Sequence, residues 1–356
     1  MKSAYITADK ISMGTGGGAV TTNELEALKS VSDDVFVISR DDIDPALFKQ
    51  PASPFLEDYF ALQQILLQQE IQRKYFDLAQ LYSGCFTETV RYLKDRRTKV
   101  SYTVAAHDRK LSMEEFQRLG LEYPYYHIAD DRLWQIYTEG IRLADIVIAP
   151  SSKSAQILES MGCKNIKVIP HGITWPKKVK PIPENFDCAY VGATGPDKGL
   201  LYLIQAWGML NYSDSRLILA GPGTESLEPF IRRITDKGNF VLMGRVLDVS
   251  EVYNACSVYI QPSVSESYGI EIPEALSYGR PIIASEGAGA SEIIKDAGFV
   301  VPIKSPQAIA EKIDWLKNNR ASMLFMGQRG RIIARKYIWS KIQRLYTKVF
   351  LEVSNA

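Results

Sequence analysis

Cysteine is scarce in this sequence and scattered. Cys85, Cys163, Cys188 and Cys256 stand far apart with no C-x-x-C among them, which argues against a zinc site and a disulfide framework and fits a reducing cytosol. A surplus of either charge is also missing: 42 Lys and Arg face 41 Asp and Glu, so no global field draws the chain to nucleic acid or to an anionic membrane, and partners must be recognised locally. No apolar run approaches the roughly 20 residues that span a bilayer, and the N-terminus opens on a strand-like segment instead of a charged region followed by an apolar core. The expectation is a soluble, cytoplasmic protein. "RYLKDRRTK", Arg91 to Lys99, is a candidate surface for peripheral membrane contact, though a solvated basic face accounts for it more simply. Low-complexity tracts are lacking, and the only internal repetition is one of architecture.

That architecture is an alternation of short apolar or β-branched runs with helical periodicity, the pattern of βα units around parallel sheets. In the first half, strands are expected at 3–7, 35–39, 78–82, 100–105, 146–149 and 166–169, with a glutamine-rich amphipathic helix at 60–76. The second half repeats the plan, with strands at 188–191, 217–220, 240–243, 258–261, 282–285 and 299–301. At 356 residues the chain suits two domains. The expected division is an N-terminal domain at 1–170, a proline-rich linker at 171–186 ("HGITWPKKVKPIPENF") and a C-terminal domain at 187–334. Residues 332–353 read as one helix, and the segment from about 335 to 356 is expected to pack back on the first domain. Two doubly wound domains would hold a ligand where strand C-termini converge.

"MGTGGGAVTTNEL", Met13 to Leu25, matches G-x-G-x-x-G/A through Gly14, Gly16 and Ala19. In a dinucleotide site the first glycine ends the strand, so that pyrophosphate sits over the next helix, whereas here "DKISM" intervenes. The second strand ends with Arg40 ahead of Asp41 and Asp42 instead of a ribose-binding acid. A dinucleotide loop, a structural turn and a pliant lip over a ligand all stay open, since glycine admits φ > 0 and close approach.

The second half is more informative. In "IQPSVSESYGIEIPEALSYGRPIIAS", Ile260 to Ser285, a strand ends at Gln261 and a loop delivers Glu266. Pro273 is tolerated only in a first helical turn, so backbone amides around Tyr268, Gly269 and Ile270 are expected to face outward and bind an anion. Carboxylates are repelled by phosphate, so Glu266 and Glu274 make sense as grips for hydroxyls. A diphosphate flanked by two sugars fits.

Glu266 and Glu274, eight positions apart and followed by "GRPIIAS", resemble the E-x7-E signature of the retaining glycosyltransferases of family 4, which have the GT-B fold of two Rossmann-like α/β domains. "YVGATGPDKGL", "LILAGPG", "FVLMGRV", "EGAGASEII" and "AGFVV" follow in that family's order, and the Gly-rich loop and "AAHD" (Ala105 to Asp108) resemble its acceptor side. The resemblance implies transfer of a sugar from a UDP-, GDP- or ADP-sugar, with retention of configuration, to a glycan, lipid or small-molecule acceptor, without cofactor or required metal. It implies that Glu266 contacts the donor sugar and Glu274 the ribose. Lys198 and the amides of Tyr268, Gly269 and Ile270 would hold the diphosphate, His107 would approach the donor sugar, and Gly16, Gly17 and Gly18 would lie against it. The family's usual arginine after "VG" is replaced by Ala193, and Arg245 is the candidate substitute.

Simpler roles exist for several of these residues. His107 could be a satisfied strand-end histidine, His127 and His171 structural residues, Glu271 a first-turn dipole partner and Lys198 a turn lysine. The other readings of the whole chain are a nucleotide-sugar-binding subunit without turnover and a GT-B phosphorylase or epimerase. A paired-carboxylate hydrolase is disfavoured because both acids sit on one short segment.

Overall fold

The computed structural model describes residues 1–13, 16–39, 42, 61–65, 75–121 and 130–356. Gly14, Arg40, Asp41, His127 and most of the segment 60–76 lie outside the described residues. Two compact units emerge from the fold. One holds residues up to Arg109, those of 130–172 and Trp339–Ala356; the other holds 110–121 and Ile173–Ile338.

The first unit has strands β1 (Lys2–Thr7), β2 (Asp34–Ile38), β3 (Leu78–Tyr82), β4 (Lys99–Thr103), β5 (Ile146–Ala149) and β6 (Ile166–Val168). They form a parallel sheet in the order β2-β1-β3-β4-β5-β6. Strand order reverses between β1 and β3, so the loop carrying the glycines leaves the sheet at its switch point.

The second unit has β7 (Cys188–Val191), β8 (Arg216–Ala220), β9 (Asn239–Gly244), β10 (Val258–Gln261), β11 (Ile282–Ser285) and β12 (Gly298–Val301). Its parallel sheet runs β12-β11-β10-β7-β8-β9. Counted within the unit this is the doubly wound order 3-2-1-4-5-6, with β7 and β10 as neighbours at the reversal. Both sheet faces are covered. Ala189, Tyr259 and Ile282 pack into one apolar cluster, while Tyr190, Ile260 and Ile283 pack into the other. That double burial explains why these strands read as unbroken apolar runs and not as alternating ones.

Three differences from the sequence reading have physical causes. The expected helix 332–353 is two helices, Arg320–Ala334 and Trp339–Ser354. Between them the Ile173 N–H donates to the Tyr337 carbonyl at 2.8 Å and Ile338 bridges Ile173, a long-range pairing that local periodicity does not register. The second helix belongs to the first unit, where Ile342, Tyr346, Val349, Phe350 and Val353 share its buried face. It packs on the helix Gly16–Lys29, and Gln343 donates to Asn23 at 2.9 Å.

The second difference concerns the helix Arg109–Arg118, counted with the first half by sequence. From Lys110 onward it clusters with the second unit, where buried Glu115 accepts from Tyr202 at 3.0 Å and pairs with Lys304 at 2.8 Å. The third is the pliant lip: Gly16, Gly17 and Gly18 form the first turn of the helix Gly16–Lys29, with none of them at positive φ. A Cβ on Gly17 would stand 2.9 Å from an Asp9 carboxylate oxygen, so close packing on Asp9, more than backbone pliancy, accounts for that glycine.

Candidate functional site

The switch point of the second unit is built by the loops after β7 and β10. The chain leaves β7 through Gly192 and Ala193 and reaches Lys198 in a short turn, Pro196–Lys198. Gly199 follows with φ +73, and a Cβ there would meet the Pro262 carbonyl oxygen at 2.1 Å. Only glycine allows the two loops to approach this closely. They are joined by hydrogen bonds from the Val264 and Ser265 N–H groups to the Asp197 carbonyl, at 2.7 and 3.3 Å.

The loop that carries Glu266 is tied on its other side to the chain after β11. Glu266 N–H donates to Gly287 O at 3.0 Å, Gly289 N–H to Glu266 O at 3.1 Å and Ala290 N–H to Tyr268 O at 2.6 Å. Gly287 permits this contact, because a Cβ on it would meet the Ser263 carbonyl at 2.2 Å. The loop thus lies between two neighbours, with its shape set before any ligand arrives.

On this frame Lys198 Nζ donates to Glu266 Oε2, with side-chain exposures of 27% and 16%. Burial opposes the lysine charge, yet the negative charges of Glu266 and Asp197 overcome it and raise the Lys198 pKa above its ordinary value. The ammonium therefore stays charged across the physiological range. Next come Gly269, at φ +88, and the short helix Glu271–Ser277. The N–H groups of Gly269 and Ile270 donate to no acceptor among the described residues, which leaves two amides for an anion. Tyr268 contributes its backbone only, its ring being buried in the core.

Glu274 lies in the first turn of that helix, and Tyr253 donates to its Oε2 at 3.0 Å. Burial pushes the Glu274 carboxyl up to about 7 against this hydrogen bond. Glu271 is likewise pushed to about 7, by burial and then by the charges of Glu266 and Glu274. Three carboxylates and one ammonium thus converge, and two of the carboxylates titrate near neutrality. Pro273, in the same first turn, is buried.

Lys198, Glu266, Gly269 and Ile270 therefore lie on the loops of adjacent strands β7 and β10, and Glu274 on the helix that the second loop enters. Arg245 is on neither loop. It is exposed just beyond β9, the edge strand two places from β7, and no hydrogen bond of its side chain is found among the described residues. At the Ala193 position, the Tyr190 hydroxyl donates to the Ala193 carbonyl at 2.6 Å. Sequence reading missed this tyrosine, the Tyr253 support of Glu274 and the Asp197 clamp. The two tyrosines look like core aromatics in sequence, and a backbone carbonyl carries no sequence signal.

In the first unit, half-buried His107 follows β4 beside a small recess with Arg109, Trp134 and Tyr137. Ser154 fixes the preceding backbone by donating to Ala106 O at 2.6 Å. Asp9 and Gly17 meet at the loop after β1, and Gly84, after β3, is held by Tyr102 at 2.6 Å. His171 is buried. Among the described residues no group of three or more His, Cys, Asp or Glu side chains is placed to hold a metal ion, and no described helix is long and apolar enough to cross a membrane.

Compared with known proteins, the chain resembles sucrose-phosphate synthase from Thermosynechococcus elongatus over 99% of its length and all of that chain, with a TM-score of 0.73 at 17% identity. Anabaena HepE, solved with UDP and glucose, gives 0.70 at 17% identity over 99% of this chain and all of the other. The fold is GT-B. Within it, residues 185–319 match the family model "Glycosyl transferases group 1", a span that contains Lys198, Arg245, Glu266 and Glu274 but neither His107 nor the glycines of the first unit.

An uncharacterised glycosyltransferase of Methanocaldococcus jannaschii is 29% identical over 170 residues, covering 47% of this chain and 48% of the relative. The capsular polysaccharide biosynthesis glycosyltransferase CapM of Staphylococcus aureus is 29% identical over 185 residues, 49% of each. The chain spans about half the length of the curated relatives it matches. In GT-B terms, the described cluster lies on the second Rossmann-like unit, at the strand ends where such sheets bind ligands.

Proposed function

We propose that the chain is a glycosyltransferase that moves a sugar from a nucleoside-diphosphate donor to an acceptor hydroxyl with retention of configuration. One observation carries this reading: the Lys198 ammonium, on the loop after β7, pairs with Glu266 on the loop after β10, and that second loop goes on to the two amides of Gly269 and Ile270 and to Glu274, eight residues after Glu266. Cationic and amide donors suit the diphosphate. The acids flanking them suit hydroxyls, Glu266 those of the transferred sugar and Glu274 those of the ribose. The neutral form of Glu274, accessible near pH 7, can donate as well as accept toward a ribose hydroxyl.

The leaving group is the diphosphate, so the developing negative charge is met by Lys198 and the amides, groups already positioned when the bond breaks. No side chain is assigned as a nucleophile, and the roles proposed here call for neither cofactor nor metal. His107 and Gly16 to Gly18 are proposed to serve the donor sugar from the first unit, which would also bind the acceptor, a glycan, a lipid-linked saccharide or a small molecule. A cytoplasmic location accords with this chemistry.

A panel of UDP-, GDP- and ADP-sugars in a thermal-shift assay tests the donor, because a ligand stabilises by RT ln(1 + [L]/Kd). Proton NMR of the anomeric centre of the product tests retention. No shift with any donor would remove the reading. A second reading, a nucleotide-sugar-binding subunit without turnover, is favoured by Ala193 and the exposed Arg245. Transfer or donor hydrolysis by the purified chain alone would exclude it.

A further inference from the structure

The basic linker has no part in the proposed transfer reaction, yet it forms one wall of a separate pocket in the second unit. A cavity of about 420 Å³ lies between linker residues 179–182, the turn 278–280 and the helix Arg320–Ala334. That size falls in the range of small-molecule sites, about 300–1,000 Å³. Its construction depends on glycine. Gly279 has φ +71, and a Cβ on Gly327 would meet the Gly279 carbonyl at 2.3 Å and Ile182 at 3.2 Å.

Three cations line this cavity: Arg280, Arg331 and Lys180. Arg280 is 0% exposed. Its Nε donates to Tyr253 O at 2.6 Å and one terminal nitrogen to Lys180 O at 2.8 Å, while Nη1 is buried with no acceptor. A buried donor left unmet costs free energy that a ligand oxygen would return. Arg331 makes one hydrogen bond, to Ser277 O at 3.0 Å.

No carboxylate lines the pocket. None of Lys177, Lys178, Lys180, Arg280 and Arg331 forms an ion pair among the described residues. The acids Glu184 and Asp296 are engaged elsewhere, by Arg320 and Arg329. Burial, and with it the like charge of Arg331, disfavours the Arg280 cation, a strain that a multiply charged anion relieves.

We propose that this pocket is a second ligand site that binds a phosphate group, received by the guanidinium groups of Arg280 and Arg331, with Lys180 at the rim. Three cations converging without a counter-charge favour a group that carries about two negative charges over a single carboxylate, and guanidinium matches phosphate geometry. The apolar side chains of Val179, Ile182 and Leu324 beside it suit the organic part of a phosphate ester. The phosphate could be carried by a free ester or by a lipid headgroup. The proposal does not depend on the glycosyltransferase reading.

The test uses the full-length chain in a Lys198→Ala background, which blanks the candidate diphosphate site. Inorganic phosphate binding is followed by calorimetry, and co-sedimentation is measured with phosphatidic acid/phosphatidylcholine vesicles and with phosphatidylcholine alone. Phosphate binding, sedimentation with the anionic vesicles only, or both is expected, weakened about tenfold or more in Arg331→Gln and to a smaller degree in Lys180→Gln. Phosphate binding alone assigns the site to a free ester; sedimentation adds a lipid headgroup. The Lys180 ammonium makes no ion pair, so its variant reports even if Arg331→Gln folds poorly. Absence of both signals, or signals equal in the Lys198→Ala parent and both added variants, overturns the proposal.

Discussion

Lys198 and Glu266 hold each other in the free chain, so each residue has two roles to lose. Replacing Lys198 with alanine leaves the Glu266 carboxylate, 16% exposed, without its counter-charge and removes a charged donor to the diphosphate. Charge-assisted hydrogen bonds contribute about 1.5–3 kcal/mol, so donor affinity measured by calorimetry should fall roughly 10- to 150-fold. Glu24 offers a second test at this scale. It is fully buried, accepting from Tyr5 at 3.1 Å and Gln80 at 3.3 Å, and burial pushes its carboxyl from 4.5 to about 7 despite those bonds. Because the folded state binds this proton more tightly, stability is highest below the unfolded value and falls as pH rises toward about 7, by about 3 kcal/mol for this one group. Glu24→Gln, which carries no charge to bury, should flatten that decline. Melting temperatures of both proteins at pH 5 and pH 8 decide the matter, and equal pH dependence would refute the assignment.

Among elements, the loops after β7 and β10 depend on one another through Gly199. Alanine there would have to adopt φ +73 and place its Cβ 2.1 Å from a carbonyl oxygen, so Gly199→Ala should cost about 3 kcal/mol or more, read as a lower denaturation midpoint. An unchanged midpoint would mean that the loops are not in contact. All twelve described strands were legible in the sequence because each is a short run rich in apolar or β-branched residues; the central ones are buried on both faces, the edge strands β2, β6, β9 and β12 only in part. The interruption at 335–338 was not, since it is produced by pairing with Ile173, more than 160 residues away along the chain. Nor was the helical state of Gly16 to Gly18, because glycine composition favours a loop and only packing on Asp9 reveals the alternative. Within the candidate site, Glu266 and Glu274 were visible as hydroxyl-gripping acids on either side of the expected amides, whereas Lys198 was reached through the family resemblance. Tyr253, which orients Glu274, was hidden among core aromatics.

At the level of the molecule, the two units have separate cores and are crossed by the chain at both ends, with Trp339–Ala356 returning to the first. Phe350 is fully buried on that returning helix. Phe350→Ala should lower the stability of the first unit by about 3–5 kcal/mol and leave the shift of the second unit's transition by donor intact, which calorimetric scans with and without ligand would read. The central claim is that the main chain from Ser265 to Ala275 cradles a diphosphate. A crystal structure with the UDP-, GDP- or ADP-glucose that gives the largest thermal shift tests it most directly. The account predicts phosphate oxygens within hydrogen-bonding distance of Lys198 Nζ and of the Gly269 and Ile270 amides, with Glu274 on the ribose; a diphosphate bound away from this loop, or Glu274 facing solvent, would contradict it.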